Sequence, residues 1–217
     1  MSPAPEADSP FDADFRARLR ELLRWRRDVR RFRPDPLPEG TIARLIETAC
    51  LAPSVGLSQP WRFVLVDAPG RRAAIRANFS RCNEAALAAQ SADRAGLYAR
   101  LKLAGLDEAP CHLAVFADPE TGQGHTLGRL TMPEMIQYSA VAAAHTLWLA
   151  ARAEGIGMGW VSILDPAVVR IALDVPASWR LIGYFCLGFP AAADEVPELE
   201  REGWEVRRSA EVFVVRR

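Results

Sequence analysis

From Phe11 to Trp25, Phe15, Leu19, Leu22 and Leu23 recur at helical spacing with arginines on the opposite face, which predicts an amphipathic helix. The same spacing, carried by Ile42, Leu45, Ile46 and Ala49, predicts a second helix over 39–51. The run Arg62-Phe63-Val64-Leu65-Val66-Asp67 is aromatic and β-branched and reads as a buried strand. A helix is expected over 71–90. The segment 91–109 is weakly patterned, and such stretches inside compact domains commonly serve as lids or binding loops. Cys111 to Ala117 predicts a second strand, and Glu134 to Glu154, apolar on nearly every side, a long central helix at a candidate subunit interface. Trp160 to Ile163 predicts a short strand. Asp165-Pro166 supplies N-cap and N1 residues for a helix ending near Leu173. Leu181 to Phe189 predicts the last core strand, and Glu211 to Val215 a possible edge strand. The expected architecture is α+β, with helices flanking a mixed central sheet. No boundary divides 11–217, so one domain is expected, with 1–10 disordered, 91–109 as candidate lid and 191–217 as a C-terminal extension.

Between the first two helices lies Arg26-Arg27-Asp28-Val29-Arg30-Arg31-Phe32, followed by Pro34, Pro36 and Pro38, which end regular structure. By itself the cluster reads as a solvated charge run, a nucleic-acid patch or a phosphate clamp. Lys+Arg and Asp+Glu balance at 27 each, so no bulk field draws the chain to nucleic acid or anionic lipid. Lys102 is the only lysine. Arginine suits forked capture of phosphate or carboxylate, although coding bias toward GC produces the same excess.

Composition excludes several chemistries. Four scattered cysteines form no C-x-x-C pair, which suits a reducing compartment. The acidic N-terminus lacks the apolar core of a signal peptide, and the most apolar helix is too short for a bilayer, so a cytoplasmic location is expected. His112, His125 and His145 are the only histidines and show no metal-ligand spacing. There is no G-x-S-x-G elbow and no P-loop. Gly155, Gly157 and Gly159 precede a strand, whereas the dinucleotide fingerprint places its glycines after one. They either admit a planar ligand close to the backbone or form a tight turn.

Four features occur in order: the arginine cluster, the loop Pro53-Ser54-Val55-Gly56-Leu57-Ser58-Gln59-Pro60-Trp61, the Gly-rich turn before Trp160, and Leu187-Gly188-Phe189-Pro190. From about Phe15 to Pro190 this arrangement resembles the nitroreductase-like flavoproteins. The resemblance implies an FMN-binding homodimer in which clustered arginines hold the flavin phosphate, the Pro-Ser loop lines the flavin and the Gly-rich turn faces its ring. Two positions depart from the common pattern: Asp28 stands where serine is usual, and Leu57 where asparagine is. With Gly159-Trp160-Val161-Ser162-Ile163 and Thr131-Met132-Pro133-Glu134-Met135, these departures resemble the flavin destructases of 5,6-dimethylbenzimidazole synthesis.

That resemblance implies oxygen-dependent fragmentation of reduced FMN to 5,6-dimethylbenzimidazole and D-erythrose 4-phosphate. FMN would be consumed, O2 would be co-substrate, and a separate NAD(P)H-dependent flavin reductase would supply the reduced form. Asp28 and Ser162 are the implied catalytic residues. Arg26, Arg27, Asp28, Val29, Arg30, Ser54, Gln59, Trp160, Val161, Ser162 and Gly188 are the implied flavin-binding set. Flanking arginines favour an ionised Asp28 and hence a base. Ser162 would orient a flavin ring atom. Two alternatives remain open on the same fold: an NAD(P)H-dependent nitroreductase or flavin reductase, and a flavin carrier that consumes nothing.

Overall fold

The structure, a computed structural model, describes residues 10–100 and 105–217. Its helices are α1 (Ala13–Trp25), α2 (Thr41–Ala49), α3 (Pro69–Ala88), α4 (Ala92–Arg100), α5 (Gly105–Glu108), α6 (Met135–Ala153), α7 (Pro166–Leu173) and the single turn α8 (Glu198–Arg201). Its strands are β1 (Trp61–Leu65), β2 (Cys111–Ala117), β3 (Gly157–Val161) and β4 (Arg180–Gly188), in the order β1-β2-β4-β3.

Alternate side chains of the sheet feed two separate cores, as the period of two in a strand requires. Ala114, Phe116, Tyr184 and Cys186 point to one face and pack with Ile75 of α3 and Val169 and Leu173 of α7. Leu113, Val115, Met158, Phe185 and Leu187 point to the other, against Leu45 of α2 and Ala144, Leu147 and Ala151 of α6. Alanines at 140, 143, 144 and 151 are fully buried and let α6 lie close to the sheet. Truncating Leu147 to alanine would remove core contacts worth about 2–5 kcal/mol. A buried amide clamps α3 to the start of α7: Asn78 Nδ2 donates to Asp165 O at 3.0 Å, and Asn78 Oδ1 accepts from Asp165 N at 3.2 Å. Asp165 also caps α7, accepting from Ala167 N and Val168 N, as its position before proline leads one to expect.

Several expectations change. All three strand pairings are antiparallel, so the sheet is not mixed. The alternation of side chains carries no strand direction, and the connection from β3 through α7 is long enough for either sense. The only parallel contact among the described residues is the isolated bridge between Asp28 and Met158. Residues 211–215 are not an edge strand: Ala210–Phe213 form a 3-10 turn, and Val212 to Val215 stay exposed. They pair with no strand of the sheet. The disordered N-terminus expected over 1–10 falls outside the described residues except for Pro10, and 101–104 of the candidate lid fall outside them as well.

Candidate active site

The arginine segment is positioned by the sheet. α1 ends at Arg26, whose backbone is extended (φ −70°, ψ 112°), and the chain then runs along the outer edge of β3. Val29 N donates to Met158 O at 3.1 Å, Arg33 N to Phe189 O at 2.8 Å, and Ala191 N to Arg31 O at 3.1 Å. The glycines of the next motif are shaped to this segment. A Cβ on Gly157 would come within 2.8 Å of Val29 Cγ2, and one on Gly159 would overlap Val29 O. Gly157 and Gly159 are therefore strand residues that admit the arginine segment, and neither lies in a turn. Only Gly155, at φ 75° after α6, serves as a turn. Gly188 likewise makes room for protein: a Cβ there would meet Pro110 Cδ at 2.6 Å and Phe32 Cδ1 at 3.2 Å.

Asp28 sits where β3 is open. Its Oδ1 accepts from Trp160 N at 2.8 Å, and its Oδ2 from Arg30 Nε at 3.4 Å. Burial holds its carboxyl above the ordinary aspartate range, opposed by the Trp160 amide and Arg30 and assisted by Glu198. Arg30 favours the ionised form as expected, but desolvation outweighs it. The side chain still retains 35% of its exposure and lines a cleft of about 310 Å³ with Arg27, Arg30, Arg31, Asp194, Glu198 and Arg201.

The other arginines face differently. The Arg26 guanidinium lies 4.6 Å above the Trp148 ring. Arg27 Nε donates to Glu195 O at 2.7 Å, and the residue lines a neighbouring cleft with Arg24, Glu200 and Arg207. Burial, and then the charge of Arg207, lowers the pKa of both Arg26 and Arg27. Both remain cationic, so the shifts register mutual repulsion that a bound anion would relieve. Arg207 and Glu198 escaped the sequence reading. The tail motif carries no phosphate signature, and only folding brings it to the arginine segment.

The remaining candidates are dispersed. Trp160 contributes its backbone amide to Asp28, while its ring packs on Phe185 and Trp148. Val161 is buried in the core. Ser162 is exposed just past the end of β3. Ser54 Oγ accepts from Gln59 N at 3.1 Å, and Gln59 Oε1 accepts from Gln123 Nε2 at 3.0 Å, within a loop that shares no hydrogen bond with the arginine segment. Leu57 and Gln59 adopt left-handed φ angles of 53° and 41°. Asparagine tolerates that region better than leucine, which accounts for the more usual residue at Leu57. In the candidate lid, α4 holds Trp204 of the tail: the Arg94 guanidinium lies 5.0 Å from its ring and the Tyr98 ring 6.3 Å. Among the described residues no cluster of His, Cys, Asp and Glu could hold a metal ion, and no helix is long and apolar enough to cross a membrane.

The chain belongs to the nitroreductase family, whose model matches residues 23–189. It is 60% identical over 198 residues to the 5,6-dimethylbenzimidazole synthase of Rhodospirillum rubrum, covering 91% of this chain and 94% of the relative. To an enzyme of the same name from Rhodobacter capsulatus it is 48% identical, over 90% of this chain and 94% of the relative. Among solved structures, an iodotyrosine deiodinase bound to FMN and 3-iodo-L-tyrosine superposes with a TM-score of 0.72 at 23% identity, covering 91% of this chain and 97% of the other.

Proposed function

We propose that this chain is a 5,6-dimethylbenzimidazole synthase that converts reduced FMN and O2 to 5,6-dimethylbenzimidazole and D-erythrose 4-phosphate. The similarity to relatives of that name over nine-tenths of the chain supports the reading. The structural observation that carries it is a carboxylate, Asp28, set among arginines at the mouth of a cleft. The residues fit a flavin phosphate, because Arg24, Arg27 and Arg207 line one cleft and the charge of Arg207 adds to burial in lowering the pKa of Arg26 and Arg27, a repulsion that a dianion would relieve. Each charged bond to that phosphate would contribute about 1.5–3 kcal/mol.

When bound, reduced FMN supplies the electrons that O2 accepts. Asp28 supplies proton transfer. Its Oδ1 is taken by the Trp160 amide, so Oδ2, held only by the long bond to Arg30, is the oxygen free to take up and return a proton. Ser162, exposed beyond β3, offers a hydroxyl to a flavin ring atom. Ser54, Gln59 and the loop around them line the flavin from a second direction. The assembly in this reading is a homodimer, which the exposed stripe of Phe15, Leu19 and Leu23 on α1 supports. α4 acts as a lid that keeps water out. Reduced FMN comes from a separate NAD(P)H-dependent reductase, and the four free thiols suit the cytoplasm.

The test incubates the protein with FMN, a flavin-reducing system and air, then resolves products by liquid chromatography and mass spectrometry. Loss of flavin matched by 5,6-dimethylbenzimidazole is expected. A protein that purifies yellow, oxidises NAD(P)H unaided and leaves FMN intact would instead be a nitroreductase or flavin reductase.

A further inference from the structure

We propose that Glu198 is a positioning residue for Asp28: the two carboxylates share the single guanidinium of Arg30, and Glu198 thereby sets how tightly Asp28 holds its proton. The inference rests on the reading of Asp28 as the proton-handling group.

Arg30 Nε lies 3.4 Å from Asp28 Oδ2 and 4.0 Å from Glu198 Oε2. Its side chain is only 12% exposed, so it cannot swing away to serve one carboxylate alone. The nearby Arg201 is engaged by Asp194 at 3.2 Å and does not provide Glu198 with a cation of its own. Two carboxylates against one guanidinium leave the trio with an excess negative charge, and one added proton makes it neutral. Asp28 is faced by Arg26 and Arg30 of its own segment, by the Trp160 amide and the neutral Cys186 thiol of the sheet, and by Glu198 of α8. Arg27, Arg31, Asp194, Arg201 and Glu202 line the same cleft. Of the acidic groups in this set, Glu198 is the one that shares a cation with Asp28. Removing its charge takes away a repelling neighbour and leaves Arg30 to Asp28 alone, and both changes favour ionisation.

The test follows the Asp28 carboxyl carbon by 13C NMR during a pH titration of the flavin-free protein, with the resonance assigned by its loss in Asp28→Asn. Glu198→Gln is expected to lower the midpoint by about one pH unit, whereas Glu198→Asp, which keeps the charge, should leave it near the wild-type value. Arg30→Gln provides a check of opposite sign and should raise the midpoint. An unmoved midpoint in Glu198→Gln, or a fall in Arg30→Gln, overturns the proposal. The titration needs no turnover, so a protein that shows these shifts yet forms no 5,6-dimethylbenzimidazole would support the coupling and overturn the assigned reaction.

Discussion

The segment from Arg26 to Phe32 contains two electrostatic regions built from the same residue type. At one end Arg27 shares a cleft with Arg24 and Arg207, and the charge of Arg207 bears on both Arg26 and Arg27. Three residues beyond Arg27, Arg30 is enclosed between two carboxylates, Asp28 and Glu198. Arginines in excess of carboxylates make an anion site, and carboxylates in excess of arginines make a place where a proton can be kept. Neither property belongs to arginine as such. Each depends on what the tail from 194 to 207 brings to that end of the segment, so in the proposed function the division of labour between holding substrate and moving protons is set by tertiary contact.

The comparison can be broken most forcefully at its carboxylate end. Asp28→Asn preserves the shape and the acceptor for the Trp160 amide, so the fold and FMN affinity should survive. Formation of 5,6-dimethylbenzimidazole should fall by about 100-fold or more, as loss of a general acid–base group does, measured as product per flavin in single turnover. At the other end, Arg27→Ala should weaken FMN about 10–100-fold, the equivalent of one charged hydrogen bond. Riboflavin, which lacks the phosphate, should bind the variant and the wild type alike, and fluorescence titration of both ligands checks this.

The two ends should also answer differently to pH. Burial raises the Asp28 pKa, so a base at this position is ionised only at higher pH than a free aspartate requires. Turnover should therefore be lost on acidification while the pH is still above the ordinary aspartate range, with FMN binding to the arginines retained there. A pH–rate profile beside a pH–affinity profile separates the two limbs. A smaller effect is expected from Trp204→Ala, which removes the ring held between Arg94 and Tyr98. Limited proteolysis within α4 should quicken severalfold, with secondary structure unchanged by circular dichroism.

Much of the fold was legible because periodicity and punctuation are local. α6 and the cap of α7 at Asp165-Pro166 follow directly from their patterns, and β2 spans the expected Cys111 to Ala117. The direction of the strands was not legible, since the alternation of side chains reads the same in either sense. Gly157 and Gly159 were recognisable as positions needing space, but what fills that space, Val29, lies 128 and 130 residues earlier. Asp28 stood out because it interrupts a run of arginines. Glu198 and Arg207 did not, because nothing near them in sequence marks them, and only the return of the tail past β4 places them beside Arg30 and Arg27. The apolar run at 211–215 looked like a strand from residue type alone, which does not say whether the tail comes alongside a sheet edge.

The division between the two ends is tested most directly by one experiment: single-turnover product formation by Arg27→Ala and Asp28→Asn, each titrated with reduced FMN to saturation in air. Arg27→Ala should recover product once flavin saturates it, because only binding was weakened, while Asp28→Asn should stay inactive at every concentration. Product from saturated Asp28→Asn, or none from saturated Arg27→Ala, would contradict it.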